Sequence, residues 1–375
     1  MFKTLLEISG IFFKMGLVAF GGPAAHIAMM EDIIVSRRKW MSREHFLDLV
    51  GATNLIPGPN STEMTMHCGH ERGGIAGLFV AGISFILPAA VMTGFLGYLY
   101  VEFGKMPQVE PFLYGIKPAV LVLILSAVIK LGKKALKSWQ LGFVGLAVGS
   151  ATFLGISEIY AILSGGLVWM LIQVGFYGTA IDQKNIWPML LLFFPQQSDS
   201  VVPLGNLFLS FLKIGAILFG SGYVLVAYLD GELVQRLGWL TRQELLDAIA
   251  IGQMTPGPVL TTATFIGYQV AGFKGAILAT IGIFLPSFFF VWILNPLIPR
   301  LRKSRLSAAF LDGVNIGAVG IMVAVILNLG KDMLLDWRGV VIALLSAWLI
   351  FGPQKVSPII LVIGAAVIGY LLSML

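Results

Sequence analysis

Long apolar runs separated by short polar and basic joints organise this chain from end to end. In the N-terminal half the apolar runs cover 8–30, 75–101, 112–129, 141–155 and 159–176. In the C-terminal half they cover 207–229, 276–297, 308–329, 340–351 and 359–375. A helix crosses a bilayer with about 20 apolar residues, so the runs predict five spans in each half. Between the first and second run of each half lies a less apolar piece, 46–70 and 245–269, with a Pro-Gly-Pro at its middle. Proline removes a backbone donor and glycine permits a sharp reversal. Each piece is therefore expected to be two half-helices meeting at a broken turn, entering and leaving on one side.

The halves are copies of one module. Phe13-Lys14-Met15-Gly16 matches Leu212-Lys213-Ile214-Gly215, and Pro57-Gly58-Pro59 matches Pro256-Gly257-Pro258, both at an offset of 199 (213 − 14 and 256 − 57). Phe20-Gly21, Trp40, Arg43 and Asp48 recur at the same offset as Phe219-Gly220, Trp239, Arg242 and Asp247. Pro88, Phe112, Gly115 and Trp139 recur as Pro286, Phe310, Gly313 and Trp337 at 198 (286 − 88). A constant offset over this much chain defines a repeat. The expected organisation is a first repeat over 1–180, an interfacial linker over 181–205 and a second repeat over 206–375. The apolar piece of the linker, 187–194, is too short to span.

Loop charges give the orientation. Arg37, Arg38, Lys39 and Arg43 follow the first run, against Arg236 and Arg242 in the second half. Lys105 alone follows the second run, against Arg300, Arg302, Lys303 and Arg305. Lys130, Lys133, Lys134 and Lys137 follow the third, against Lys331 and Arg338. Basic loops stay in the cytoplasm, and the basic side is opposite in the two halves. The expected fold is an all-α integral membrane protein of two inverted-topology repeats, each with about five spans and one broken re-entrant hairpin. The count puts both termini outside, with Lys3 pulling the other way.

Composition agrees. Hydrophobic residues are 57% of the chain and charged ones 12%, against about a quarter charged in soluble domains. Mean hydropathy is +0.90. The net charge of +6 resides in short loops, which sets orientation and makes nucleic acid an implausible partner. The single Cys68 excludes an internal disulfide. The N-terminus lacks the pattern of a cleaved signal peptide, so the first run is expected to be a retained helix. A multi-pass protein of the cell membrane follows.

Inverted repeats characterise secondary transporters, with the substrate site between the halves near the midplane. Irregular backbone cannot face lipid, so the breaks mark that site. They are Gly21-Gly22-Pro23 with its counterpart Gly220-Ser221-Gly222, and Pro57-Gly58-Pro59 with Pro256-Gly257-Pro258. Helices restart after each, with Asn60, Ser61, Thr62, Thr261 and Thr262 alongside, and a helix start favours an anion. The structural alternative is a set of packing kinks. Lys14 and Lys213, at one repeat position inside the first run of each half, are candidates to flank an anion path, with snorkelling as the alternative. Glu63, replaced by Thr262 in the second half, and His26 are candidate proton carriers. His67, Cys68, His70 and Glu71 suggest a metal group, but their order matches no hydrolytic zinc motif, and a polar helix end is the better reading. No metal and no cofactor are expected.

The string Ala19-Phe20-Gly21-Gly22-Pro23 with His26, followed by Trp40, Phe46-Leu47-Asp48 and Pro57 to Glu63, resembles the chromate ion transporter (CHR) family in its two-domain, long-chain form. So do Gly69, Gly73, Gly77, Phe85 and Leu87-Pro88. The resemblance covers nearly the whole chain. It implies a non-enzymatic secondary transporter of a tetrahedral oxyanion, with chromate efflux coupled to the proton-motive force and sulfate as a second substrate. The departures are Gly220-Ser221-Gly222 for Gly-Gly-Pro and Val259-Leu260 for Asn60-Ser61, so tighter contacts are expected from the first half. The expected partners are the oxyanion, protons and lipid, with a homodimer as a further candidate. The alternatives are another anion carrier, a passive anion channel or, more remotely, an intramembrane metal-dependent enzyme. No G-x-x-x-x-G-K loop supports an ATP-driven pump.

Overall fold

The computed structural model describes residues 1–20, 22–53, 56–104, 106–177, 203–219, 222, 224–294, 305–333, 336–353 and 356–374. Among these, helix is the only regular secondary structure. Gly21, Gly220, Ser221 and nearly all of the expected linker lie outside the described residues. The first half comprises α1 (Phe2–Val18), α2 (Gly22–Met30), which continues as a π-helical stretch Glu31–Arg37, α3 (Arg43–Thr53), α4 (Asn60–Phe103), α5 (Glu110–Ala135), α6 (Trp139–Phe153) and α7 (Glu158–Tyr177). The second half repeats this order. It has α8 (Leu204–Ile217), α9 (Leu225–Leu229) with its π continuation Asp230–Arg236, α10 (Arg242–Met254), and α11 (Thr262–Leu294) after a 3-10 turn Val259–Thr261. It ends with α12 (Arg305–Met333), α13 (Trp337–Phe351) and α14 (Pro358–Ser373).

The 44-residue α4 is a hairpin, not a rod. Gly73 (φ −138°, ψ 17°) and Gly74 (φ 61°, ψ −152°) leave helical geometry in its middle. A methyl on Gly69 would collide with the Gly77 carbonyl, and one on Gly77 with the Gly69 carbonyl. In a continuous helix these residues would stand about 12 Å apart. The arms 60–72 and 75–103 therefore fold back on each other. In α11 the same turn falls at Ala271 and Gly272, and Thr264 and Thr280 share a hydrogen bond of 2.7 Å across the arms.

The first apolar run also turns back. Glu7, near the start of α1, pairs with Arg38, beyond the π stretch, and with Arg72, at the end of the first α4 arm (3.0 Å). Trp40 packs edge-on to Phe12, with ring centroids 6.4 Å apart. The run 8–30, expected as a single broken span, therefore leaves along α1, reverses at the break and returns to the level of Glu7. The break permits the reversal and the charged cluster at Glu7 anchors its far end.

The halves exchange helices. α6 and α7 pack on α12 of the other half, while α13 and α14 pack on α5, and α4 packs along α11. Lys137, just beyond α5, bonds Asp312 near the start of α12 (2.6 Å). Tyr114, near the start of α5, bonds Asp336 just beyond α12 (2.6 Å). The equivalent helices α5 and α12 therefore run antiparallel. Asp336 also caps α13 by accepting from the Arg338 N–H; the Tyr114 hydroxyl and that N–H hold its carboxyl below the usual carboxylate range.

Among the described residues, five helices are long and apolar enough to cross a membrane, Asn60–Phe103, Glu110–Ala135, Glu158–Gly175, Val259–Ile293 and Arg305–Lys331. The outer surface is apolar as well: Leu87, Val91 and Phe95, one turn apart on α4, are 50%, 63% and 58% exposed. Water would not tolerate such a stripe repeated around a monomer. This is an all-α, multi-pass membrane protein.

Because the α4 hairpin depends on backbone contact at Gly69 and Gly77, Gly77→Val is expected to cost at least about 1–3 kcal/mol by overpacking. Gly10→Ala, which meets nothing within 4 Å, should be neutral or stabilising. Thermal unfolding of the two variants in detergent checks this.

Candidate functional site

The two Pro-Gly-Pro turns meet the two broken first runs, each in the other half. The Gly58 N–H donates to the Leu218 carbonyl (2.6 Å), and the Gly257 N–H donates to the Ala19 carbonyl (2.9 Å). Both pairs obey the repeat offset (257 − 58 and 218 − 19 are both 199). Ala19 and Leu218 are the residues at which α1 and α8 end, so these carbonyls belong to the acceptors a helix end leaves without partners. Each half satisfies the other's broken helix. Both turns need glycine: φ is +142° at Gly58 and +85° at Gly257, where an L side chain is strained.

The Ala19 carbonyl takes a second donor. His26, fully buried on α2, lies with Nε2 3.0 Å from it. A carbonyl only accepts, so Nε2 carries the proton and the ring holds α2 against the end of α1. The ring also packs edge-on to Phe85, with centroids 5.5 Å apart. In the second half Tyr228 bonds the Ile217 carbonyl (3.1 Å), steadying the same corner from a different position.

Beside the Gly257 contact lies a cavity of about 90 Å³, lined among others by Phe20, Gly22, Thr255, Gly257, Val259 and Ser357. Three chain segments that begin helices converge on it: Gly22 opens α2, Val259 opens the turn leading into α11, and Ser357 caps α14. Helix starts present N–H groups and positive potential. Gln253 completes the polar lining, and among the described residues none that lines the cavity is acidic. The arrangement suits a small anion.

Glu63 sits behind the other turn. It is fully buried, and among the described residues neither carboxylate oxygen has a hydrogen-bond partner. A methyl on Gly58 would collide with Glu63 Oε1 and with Ser287 Oγ of α11, so both groups press on this turn. Ser287 Oγ is likewise buried without a partner. A lone ionisable group in a membrane interior is expensive.

The profile of the chromate transporter family matches residues 6–170 and 205–370. The chain belongs to the chromate transporter family. It is 31% identical over 371 residues to a probable chromate transport protein of Synechococcus elongatus, covering 96% of this chain and 94% of that one. It is 31% identical over 374 residues to a chromate transport protein of Cupriavidus metallidurans, covering 98% and 92%. A chromate transport protein of Pseudomonas aeruginosa is 29% identical over 387 residues, covering 96% and 90%. No solved structure matches.

The family-like residues are placed unevenly. Pro57, Gly58 and Pro59 form one junction and Pro256, Gly257 and Pro258 the other, while Gly22 opens the cavity with Pro23 next in α2. Asn60, Ser61 and Thr62 head α4 and do not line that cavity. Thr261 and Thr262 turn their hydroxyls onto the Pro258 and Val259 carbonyls (2.8 Å each). Gly222 stands near Val259. Lys14 is exposed on α1. Lys213 is half-buried and 3.5 Å from Glu232, which also accepts from Arg236 Nε (2.8 Å). Among the described residues no metal-binding group forms: His67 and Cys68 are buried, and Glu71 pairs with His45 (3.3 Å).

Three features escape a reading of the chain. Ser357-Pro358 carries the helix-start signature, but only the fold brings it to the cavity. Ser287 has no marker at all. Lys117 on α5 stands 3.6 Å from the buried Asp247 on α10, which also accepts from Tyr100 (2.8 Å). An intramembrane lysine at 117 was the available signal.

Removing Lys117 takes the counter-charge from the buried Asp247 carboxylate, to which Tyr100 still donates. Lys117→Met is expected to cost about 3–5 kcal/mol, and Lys117→Met with Asp247→Asn much less than the single change. A double-mutant cycle on unfolding in detergent reads the coupling.

Proposed function

We propose that this protein is a secondary transporter that exports chromate in exchange for protons, binding the oxyanion in the cavity at the Gly257–Ala19 junction. The observation that carries the reading is the convergence of three helix starts on a cavity whose described lining residues include no acid, joined to relatives named as chromate transport proteins. A tetrahedral dianion is bound there by backbone N–H groups and by the hydroxyl of Ser357, which tolerate its release better than a fixed positive charge; the Thr255 hydroxyl donates to the Gly252 carbonyl (3.1 Å).

The two halves are inserted in opposite orientations. The antiparallel course of α5 and α12 supports this, as does the meeting of Lys137 with the start of α12 at one face; the basic loops of both halves then share the cytoplasmic side. Alternating access is a rocking of one half against the other, in which the reciprocal turn contacts are broken and remade. Glu63 carries the proton. A protonated carboxyl rests in the lipid-like interior without a counter-charge, and ionisation forces the Gly58 turn and Ser287 to rearrange around it. His26 acts as a strut at Ala19.

Proteoliposomes with an imposed pH gradient and labelled chromate test this, with sulfate, phosphate and molybdate as competitors. Saturable chromate movement that follows the proton gradient is expected. Glu63→Gln should abolish the dependence on pH while chromate still binds. Val259→Asp, which puts a like charge into the cavity, should lower transport by about tenfold or more, ~1.4 kcal/mol, while Val259→Asn has a small effect. Equal behaviour of the Asp and Asn variants would remove the site from this cavity.

A further inference from the structure

A second, larger cavity lies apart from the first and shares no residue with it. Its volume is about 480 Å³, and its lining includes Lys137, Leu141, Trp169, Gln173, Arg305 and Asp312. First-half α6 and α7 supply one wall and second-half α12 the other, so it is an inter-half cleft. It opens where α5 ends in Lys133 and Lys134 and where α12 begins with Arg305. That concentration of cations marks the cytoplasmic face, where the leaflet carries anionic lipid.

We infer that this cleft is a binding site for an anionic phospholipid, with the headgroup phosphate at Arg305 and Lys137 and an acyl chain along Leu141 and Trp169. The charge and the wall decide between a lipid and a free oxyanion. Asp312 stands 2.6 Å from Lys137 and offsets it, leaving Arg305 as the net cation among the described lining residues. One net charge against a wall of Leu141, Trp169, Val174 and Leu306 is a poor site for a hydrated dianion. It fits a monoanionic phosphodiester that brings its own apolar tail. The cleft is also about five times the volume of the other cavity. A lipid seated there touches both halves and braces them at the end where Lys137 and Asp312 meet.

The full chain, purified in neutral detergent, is titrated with phosphatidylglycerol, with phosphatidylcholine of the same acyl chains, and with inorganic phosphate. Thermal unfolding and native mass spectrometry are read together. Phosphatidylglycerol should raise the midpoint and persist as one adduct per chain, with no effect from the other two. Arg305→Gln should lose the adduct and the shift, Arg305→Lys should keep both, and Lys130→Gln, outside the cleft, should match the parent. Equal shifts from the two lipids, a shift reproduced by inorganic phosphate, or an undiminished adduct in Arg305→Gln would each overturn the assignment. None of these readouts involves transport, so the outcome is independent of the chromate reading.

Discussion

Two backbone hydrogen bonds, Gly58 to Leu218 and Gly257 to Ala19, hold the centre of this molecule together. A helix broken inside a bilayer leaves donors and acceptors that lipid cannot satisfy, at a cost of several kcal/mol each. Here each half breaks its first run and supplies, through its Pro-Gly-Pro turn, the donor that the other half's break requires. Neither break is tolerable without the other half. This reciprocal need accounts for the glycines at the turns, for the double load on the Ala19 carbonyl, and for the placement of helix starts around the Gly257 cavity.

The backbone plan is shared by the halves, and the side chains are not. Glu63 becomes Thr262, which turns its hydroxyl onto its own helix start. Ile33 becomes Glu232, which gives Lys213 a carboxylate partner. Lys117 and Asp247 join α5 to α10, and the equivalent position to Lys117 is Asn315. The duplicated scaffold has diverged at a few buried positions, so that the buried acid Glu63 lies behind the Gly58 turn and Thr262 takes the equivalent place behind the Gly257 turn.

Much of this was legible along the chain. The runs 75–101, 112–129 and 141–155 correspond to helices because burial in lipid is uniform along a span and needs no long-range information. The breaks were legible because proline and glycine act locally. The reversal of the first run was not, since it depends on Glu7 meeting Arg38 and Arg72, residues far apart in sequence. The exchange of α6 and α7 for α13 and α14 across the halves was hidden for the same reason, and with it the arrival of Ser357 at the cavity. Asn60 and Ser61 drew notice by their polarity, yet the polar residues that line the cavity at the Gly257 junction are Gln253, Thr255 and Ser357.

The central claim is that the oxyanion sits where Gly22, Gly257 and Ser357 converge. Diffraction from crystals of the chromate-loaded protein, collected at the chromium absorption edge, locates the metal of the anion directly. An anomalous peak within the cavity bounded by those three residues is the predicted result. A peak beside Asn60 and Ser61, or between Lys14 and Lys213, with the Gly257 cavity empty, would contradict it.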